Sequence, residues 1–508
     1  MSKNKKSGGI LANIERVGNA LPHPAIIFVI MIAILAVIAQ ICASAGVSVS
    51  YYDAKAEADA TIEAVSLLNA EGIRYMFASL VDNFTSFAPL GVVLVAMLGV
   101  GVAEDAGFFD AGLKKMLSNV PPVILTGAVV FTGIISNIAS DAGYVVVVPL
   151  GAMIFAAAGK HPIAGLAAAF AGVSGGFSSN LIFGPTDVLL GGITNEALRA
   201  ANIDYTVNAS GNWYFLIVST FILTIVATLV TEKVVIPNLG TYEGAYVHED
   251  KPLTDLEKKG LKNALIAFLI FLIVMGILTV PQNAVLRQAN AEGKMTLEAF
   301  MGHSLIAAIF FMFLIPGYVF GKTVGKFKDS RDLVAAMAKS MESMSGFLVL
   351  AFFAAQFVSF FAYTNLGTIL SVKGAEFLES IRLTGIPLVI LFIIVAAFIN
   401  LFIGSASAKW AIMAPIFVPM FMNMGLSPEL SQMAYRIADS STNIISPLMN
   451  YFAMVVIFMQ KYDKDRGLGT LISTMLPYSL AFLIFWSLLL VGWMAFKIPL
   501  GPGVSLFI

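Results

Sequence analysis

The sequence predicts an all-α polytopic membrane protein with nine transmembrane helices and two re-entrant hairpins, arranged as inverted-topology repeats. Three observations lead there. Of the 508 residues, 58% are hydrophobic and 12% charged, against the ~25% charged of soluble domains. Two stretches of the chain match each other, and both carry polar residues inside apolar sequence. Basic residues fall in alternate loops, the pattern that sets orientation in a bilayer.

The elements follow in chain order. Lys3, Lys5 and Lys6 precede an apolar run ending in Ala43-Ser44-Ala45, the layout of a signal peptide. The run 25–45 exceeds the roughly 7–15 residues of a signal core, so it reads as a retained first spanning helix. Further spans near the ~20 residues a bilayer needs lie at 87–103, 212–230, 264–280, 304–320, 346–363 and 468–495. Four other apolar stretches, 122–158, 163–200, 386–424 and 430–460, are interrupted by Gly, Ser, Asn and Asp. Lys3, Lys5, Lys6 and Arg16 place the N-terminus in the cytoplasm. The acidic segment 46–86 is external. Lys114 and Lys115, the cluster Lys233, Lys251, Lys258, Lys259 and Lys262, the cluster Lys322, Lys326, Lys328 and Arg331, and Lys461, Lys464 and Arg466 are internal. Segments 46–86 and 231–263 read as short amphipathic or irregular caps.

With these loops fixed, the chain crosses an even number of times between 121 and 231. Stretch 122–158 is then a hairpin with its tip near 136–143, and 163–200 is one crossing unwound around 177–186. In the second half, 386–424 is a hairpin entering from outside with its tip near 404–409. Stretch 430–460 is a crossing unwound around 439–447, and 468–495 leaves the C-terminus in the periplasm. Reading each hairpin as two full crossings keeps the parity but strands polar backbone against lipid, which is not tolerated. The chain divides into a first repeat, 1–230, a linker region, 231–303, and a second repeat, 304–508.

The matching stretches lie at the interruptions. SNIASDAGYVVVVP (Ser136 to Pro149) and GGFSSNLIFGPTD (Gly175 to Asp187) parallel GSASAKWAIMAP (Gly404 to Pro415) and ADSSTNIISP (Ala438 to Pro447). Tyr144-x4-Pro149 aligns with Trp410-x4-Pro415, and Ser179-Asn180 with Thr442-Asn443. Broken helices in corresponding places of two repeats point to the binding site of a secondary transporter. Asn137, Ser140, Asp141, Ser178, Ser179 and Asn180 supply oxygens suited to Na+ or a polar ligand; Ser405, Ser407, Ser440, Ser441, Thr442 and Asn443 are their counterparts. Singly, such residues are caps and turns; the repeated arrangement is what points to a site. Ionisable residues inside spans are expensive and mark function. Arg436 and Asp439 lie three apart on one helical face. They read either as an internal salt bridge or as a fork for a substrate carboxylate beside a cation- or proton-facing acid. Asp187 follows Pro185 and shares that second role. Trp410 stacks an aromatic substrate or anchors at the interface, and Lys409 either serves the site or snorkels to water.

Other chemistry is excluded. Net charge is −1, so no basic field addresses nucleic acid. One cysteine, Cys42, and four scattered histidines (His23, His161, His248, His303) form no disulfide framework and no metal site beyond Na+. Gly317 to Thr323 is one residue short of a phosphate loop. Gly99-x-Gly101 is helix packing. With no nucleophile–base constellation, the chain does not read as an enzyme, and an inverted repeat argues against a channel built around a pore axis.

Several blocks carry a resemblance: LPHPAIIF, NFTSFAPLG, GKHPIAGLAAAFAGVSGGF, PTDVLLGGI, NWYF, VPQN, APIFVPMF, YRIADSSTN and LPYSLAFL. They run nearly end to end and resemble the AbgT family of p-aminobenzoyl-glutamate transporters. The resemblance implies a homodimer in the bacterial inner membrane, a dimerising scaffold, and a mobile core of hairpins and broken helices. It implies functional roles for Asp187, Ser407, Trp410, Arg436, Asp439 and Pro447. Lys409 departs from the uncharged residue expected there in some relatives. The family is described both as importing p-aminobenzoyl-glutamate and as exporting sulfonamides with the proton gradient. The expectation is therefore an ion-coupled carrier of an aromatic carboxylate, with Na+ or H+ as the coupled ion and no other cofactor. Its alternative is proton-driven sulfonamide efflux; an ion channel or an intramembrane enzyme ranks behind both.

Overall fold

The computed structural model describes residues 24–508 except 54–57, 118–119, 122, 140–142, 243–252, 290–294, 298–299, 301–303, 382, 402, 448, 450 and 465. Lys3, Lys5, Lys6, Arg16 and Lys251, used above for orientation, and the tip residues Ser140 and Asp141 lie outside the described residues.

Among the described residues, six helices are long and apolar enough to cross a membrane: Ala25–Ser44, Trp213–Leu239, Asp255–Thr279, Leu305–Thr323, Ser345–Tyr363 and Leu468–Ala495. Helix Ala88–Asp105 occupies another expected span and ends on Glu104 and Asp105. Shorter helices fill the interrupted stretches. Leu125–Ile135 and Val148–Ala157 flank the first tip, and Pro162–Phe170 and Pro185–Ala200 are the halves of the first broken stretch. Gly385–Asn400 and Ala406–Asn423 flank the second tip, and Pro428–Asn443 and Phe452–Gln460 form the second broken stretch. Pro162, Pro185 and Pro428 each stand in the first turn of their helix, where the missing N–H has no intrahelical partner to lose.

Three boundaries differ from expectation. Helix Ala406–Asn423 begins inside the stretch 404–409 expected as a tip, because Ser405 caps it, its Oγ accepting from the Ala408 amide at 3.3 Å. Lys409 therefore sits in the first helical turn. The second break opens after Asn443 rather than at 439, so Ser440, Ser441, Thr442 and Asn443 are helical. Asn400 Nδ2 donates to the Asp439 carbonyl at 2.7 Å and Thr442 Oγ1 to the Ala438 carbonyl at 2.7 Å, adding partners for carbonyls near an end where the helix cannot supply them all. Finally, the caps are more ordered than expected. Ser48–Asp53 and Ala58–Glu63 form an antiparallel hairpin with Ser48 opposite Glu63. It is tied to the end of Ser345–Tyr363 by Val65 N–H to Thr364 O at 3.1 Å and Asn365 Nδ2 to Glu63 O at 2.9 Å. Helix Asp255–Thr279 starts ahead of 264 on a capping box. Thr254 N–H donates to Glu257 Oε2 at 2.7 Å and Glu257 N–H to Thr254 Oγ1 at 3.2 Å.

Small residues let these helices approach closely, as in membrane bundles generally. Ala88–Asp105 packs on Leu305–Thr323, and Pro24–Ser44 on Ser345–Tyr363. A Cβ on Gly99 would lie 2.2 Å from the Phe310 carbonyl, and one on Gly101 2.2 Å from Ser340 Oγ, so this pair does serve packing. Between stretches 122–158 and 163–200, a Cβ on Gly172 would lie 2.4 Å from the Val130 carbonyl and one on Gly165 2.3 Å from the Gly151 carbonyl. Gly172→Val is therefore expected to lower stability by ~1–3 kcal/mol through overpacking. Thermal unfolding of the detergent-solubilised protein measures it, and an unchanged midpoint would contradict the tight crossing.

Candidate functional site

Two buried ion pairs join elements that are far apart in sequence. Asp187 is held at the start of Pro185–Ala200, its Oδ2 accepting from the Gly184 amide at 2.7 Å. Its Oδ1 lies 2.6 Å from Arg436 Nη1, and both side chains are buried. Among the described residues, that oxygen and Arg436 Nε have no aligned hydrogen-bond partner. Proximity and charge thus hold the pair, without a well-directed bond. Asp439 pairs instead with Lys409, Nζ to Oδ1 at 2.6 Å, at 1% and 0% exposure. The Arg436–Asp439 salt bridge considered from the sequence is replaced by these two cross-element pairs. Lys409 does not snorkel: its Nζ donates also to Asn400 Oδ1 and, at 3.3 Å, to the Ile403 carbonyl. Asn400 Nδ2 reaches Thr442 Oγ1 at 2.7 Å and Asn443 Oδ1 at 3.0 Å. Asn443 Nδ2 donates to Asp439 Oδ2 at 3.1 Å.

Trp410 is buried, so it is no interface anchor. Its ring stacks on Tyr435 at 4.6 Å between centroids, and its Nε1 donates to Thr194 Oγ1 at 2.9 Å. Gln432 Nε2 donates to the same hydroxyl at 2.8 Å, and Gln432 Oε1 accepts from Asn212 Nδ2 at 2.8 Å.

The first break meets helix Pro428–Asn443 where the Ser178 amide donates to Ser440 Oγ at 3.1 Å. Ser179 Oγ donates to the Gly176 carbonyl at 3.0 Å, and Asn137 Nδ2 to the Ile134 carbonyl at 3.0 Å. Among the described residues, Asn137 Oδ1, Ser178 Oγ, Asn180 Oδ1 and Ser441 Oγ are buried without hydrogen-bond partners. Buried polar atoms of this kind call for an explanation, and coordination of a hard cation is one. Pro447 lies in the second break, half-buried.

A cavity of about 200 Å³ is lined by residues from all four interrupted stretches: Tyr144 of 122–158, Phe177 and Thr186 of 163–200, Ser405 and Ser407 of 386–424, and Asn443 and Tyr451 of 430–460. Tyr144 stacks on Tyr451 at 4.4 Å. Sequence reasoning missed Asn400, Thr194, Gln432 and Tyr435. A signal existed for part of this: Glu429, Gln432, Arg436 and Asp439 recur at helical spacing along Pro428–Asn443, a polar stripe on a helix that is buried throughout.

Interrupted apolar helices converging on buried charges and a shared cavity define a multi-pass membrane protein of the secondary-transporter class. The profile of the "AbgT putative transporter family" matches residues 9–508. The chain is 38% identical to the p-aminobenzoyl-glutamate transport protein of Escherichia coli (strain K12), over 99% of this chain and 97% of that one. Two solved structures are similar: the Alcanivorax borkumensis YdaH transporter, at TM-score 0.87 and 44% identity over 95% of this chain and 100% of the other, and Neisseria gonorrhoeae MtrF, described as illuminating a class of antimetabolite efflux pumps, at TM-score 0.90 and 46% identity over 98% and 100%. The chain belongs to the AbgT family. Its relatives are transporters and efflux pumps rather than enzymes.

Proposed function

We propose that the protein is an ion-coupled secondary transporter of p-aminobenzoyl-glutamate or a related aromatic amide, with Arg436 as the fork for a substrate carboxylate. The observation that carries this is the Arg436–Asp187 pair: Thr186, beside Asp187, lines the cavity shared by all four interrupted elements. A buried ion pair is a poor way to hold a bundle together, since apolar residues of similar volume often do as well or better. Its presence favours a role in binding. Arg436 Nε, without a bond, is a donor left for a ligand carboxylate, and guanidinium geometry suits that group. Ser407, Trp410, Asp439 and Pro447 complete the substrate region, and the unpartnered oxygens of the breaks are the Na+ or substrate lining.

In this reading the chain makes nine crossings with two re-entrant hairpins. Repeats 1–230 and 304–508 run in opposite directions about the linker region 231–303, with the N-terminus cytoplasmic and the C-terminus periplasmic in a bacterial inner membrane. The contacts support it: Pro24–Ser44 with Ser345–Tyr363, and Ala88–Asp105 with Leu305–Thr323, exchange under the expected correspondence of first with first and second with second helices. The hairpin core moves against a homodimeric scaffold to alternate access. Likeness to the gonococcal efflux protein favours a second reading, export of sulfonamide antimetabolites through the same pocket. Uptake of labelled p-aminobenzoyl-glutamate into proteoliposomes, under Na+ and pH gradients imposed separately, tests the first. Expected is saturable uptake with counterflow; flux that shows neither refutes a carrier for this substrate. Sulfonamide accumulation in cells with and without the protein decides the second.

A further inference from the structure

We propose that Glu429 is the proton-binding carboxylate of this transporter, reached from the outer side through Tyr205. The inference deepens the transport reading and rests on it. Four carboxylates are buried among the described residues: Asp187, Glu196, Glu429 and Asp439. Three are neutralised by a cation, Asp187 by Arg436, Asp439 by Lys409, and Glu196 by Arg199 at 2.7 Å. Glu429, 1% exposed, has no ion pair among the described residues. Its side-chain partner is the Tyr205 hydroxyl, 3.3 Å from Oε1 and 3.2 Å from Oε2.

A hydroxyl donates and accepts. Tyr205 donates to the carboxylate and can accept from the carboxylic acid, so either protonation state finds a partner. A lysine or arginine would hold the group ionised. Access is built in as well. Tyr205 stands between exposed Asp204 and Thr206 and lines a cavity of about 300 Å³ with Gly191, Asn195 and Arg199. Under the proposed orientation this cavity is on the periplasmic side.

The position connects Glu429 to the substrate site. Three polar rungs link the first broken stretch and its loop to Pro428–Asn443: Asp187 with Arg436, Thr194 with Gln432, and Tyr205 with Glu429. Their order is antiparallel, and only the last can lose its charge with no cation beside it. Elements packed on Pro428–Asn443 bring few other titratable groups: Lys409, engaged with Asp439, and Tyr478, bonded to Thr231. Arg199 and Asp204 border the vestibule, where Arg199 pairs with Glu196. Protonation from the periplasm weakens the outer rung; release after the core has moved restores it, and one proton moves per cycle.

The test uses the full chain in proteoliposomes. Glu429→Gln is isosteric and keeps an acceptor for Tyr205. Exchange of labelled p-aminobenzoyl-glutamate is expected to persist, while accumulation driven by a gradient of about one pH unit drops by about tenfold, the drive that one coupled proton supplies across it. Tyr205→Phe should shift the pH profile, and Glu429→Asp should restore part of the drive. Infrared difference spectra across a pH titration supply a readout independent of flux: a protonated-carboxyl band present in wild type and missing in Glu429→Gln. Wild-type pH-driven accumulation in the Gln variant, or an unchanged band, overturns the proposal. A wild type driven by Na+ alone does the same. If wild type neither exchanges nor accumulates this substrate, the transport reading fails, and the infrared titration still decides whether Glu429 binds a proton.

Discussion

Replacing Arg436 with alanine is expected to lower the stability of the protein by ~3–5 kcal/mol and to end transport. The change strips the partner from Asp187, which is 4% exposed. An unpaired carboxylate in that setting has no good remedy. Its Oδ2 keeps the Gly184 amide, but Oδ1 has no aligned hydrogen bond even in the intact protein. Two companions separate support of the bundle from recognition. Arg436→Lys keeps the charge and loses the planar fork, so it should retain most of the stability and lose most of the flux. Asp187→Asn/Arg436→Gln removes both charges and should recover much of the stability while staying inactive. Thermal unfolding in detergent and proteoliposome flux are read on the same preparations. A double variant that transports like wild type would reduce the pair to a structural bridge.

The two halves of this pair illustrate what could be read in advance. Asp187 and Arg436 stood out because a charge in an apolar span is conspicuous. Their mutual pairing did not, because sequence spacing speaks only of neighbours on one helix. Arg436 and Asp439 share a face three residues apart, and that proximity made them look like partners. Each instead points to another element: Arg436 to the start of Pro185–Ala200, Asp439 to the start of Ala406–Asn423. The break in the first stretch was located well, since Gly175, Gly176, Gly184 and Pro185 are backbone signals. The second was placed too early, since Ser440 to Asn443 look like loop residues yet stay helical with the help of Asn400, a residue some forty positions away that no local pattern ties to them. Glu429 escaped notice for a related reason. It begins a helix, where an acid is normally a solvated companion of the dipole, and its burial follows from packing rather than composition.

Lys409→Met should be the second severe substitution, again lowering stability by ~3–5 kcal/mol, because a buried pair is broken from one side. Methionine fills a comparable volume, so the loss is electrostatic and not a cavity. Asp439 would keep Asn443 Nδ2 at 3.1 Å and a long 3.5 Å contact from Tyr435, too little to replace an ammonium. Asn400 Oδ1 would lose its donor as well, while its Nδ2 would still bind the end of Pro428–Asn443. The tie between stretch 386–424 and helix Pro428–Asn443 would therefore weaken without disappearing. Pairing the substitution with Asp439→Leu removes the stranded charge, and such apolar replacements are often neutral or better. The double variant is expected to unfold near the wild-type temperature and yet fail to transport. That combination assigns the pair to function, since stability has been returned and activity has not. Recovery of both would place Lys409 and Asp439 among the structural ties of the bundle, and the departure at position 409 would then alter packing rather than the transported charge.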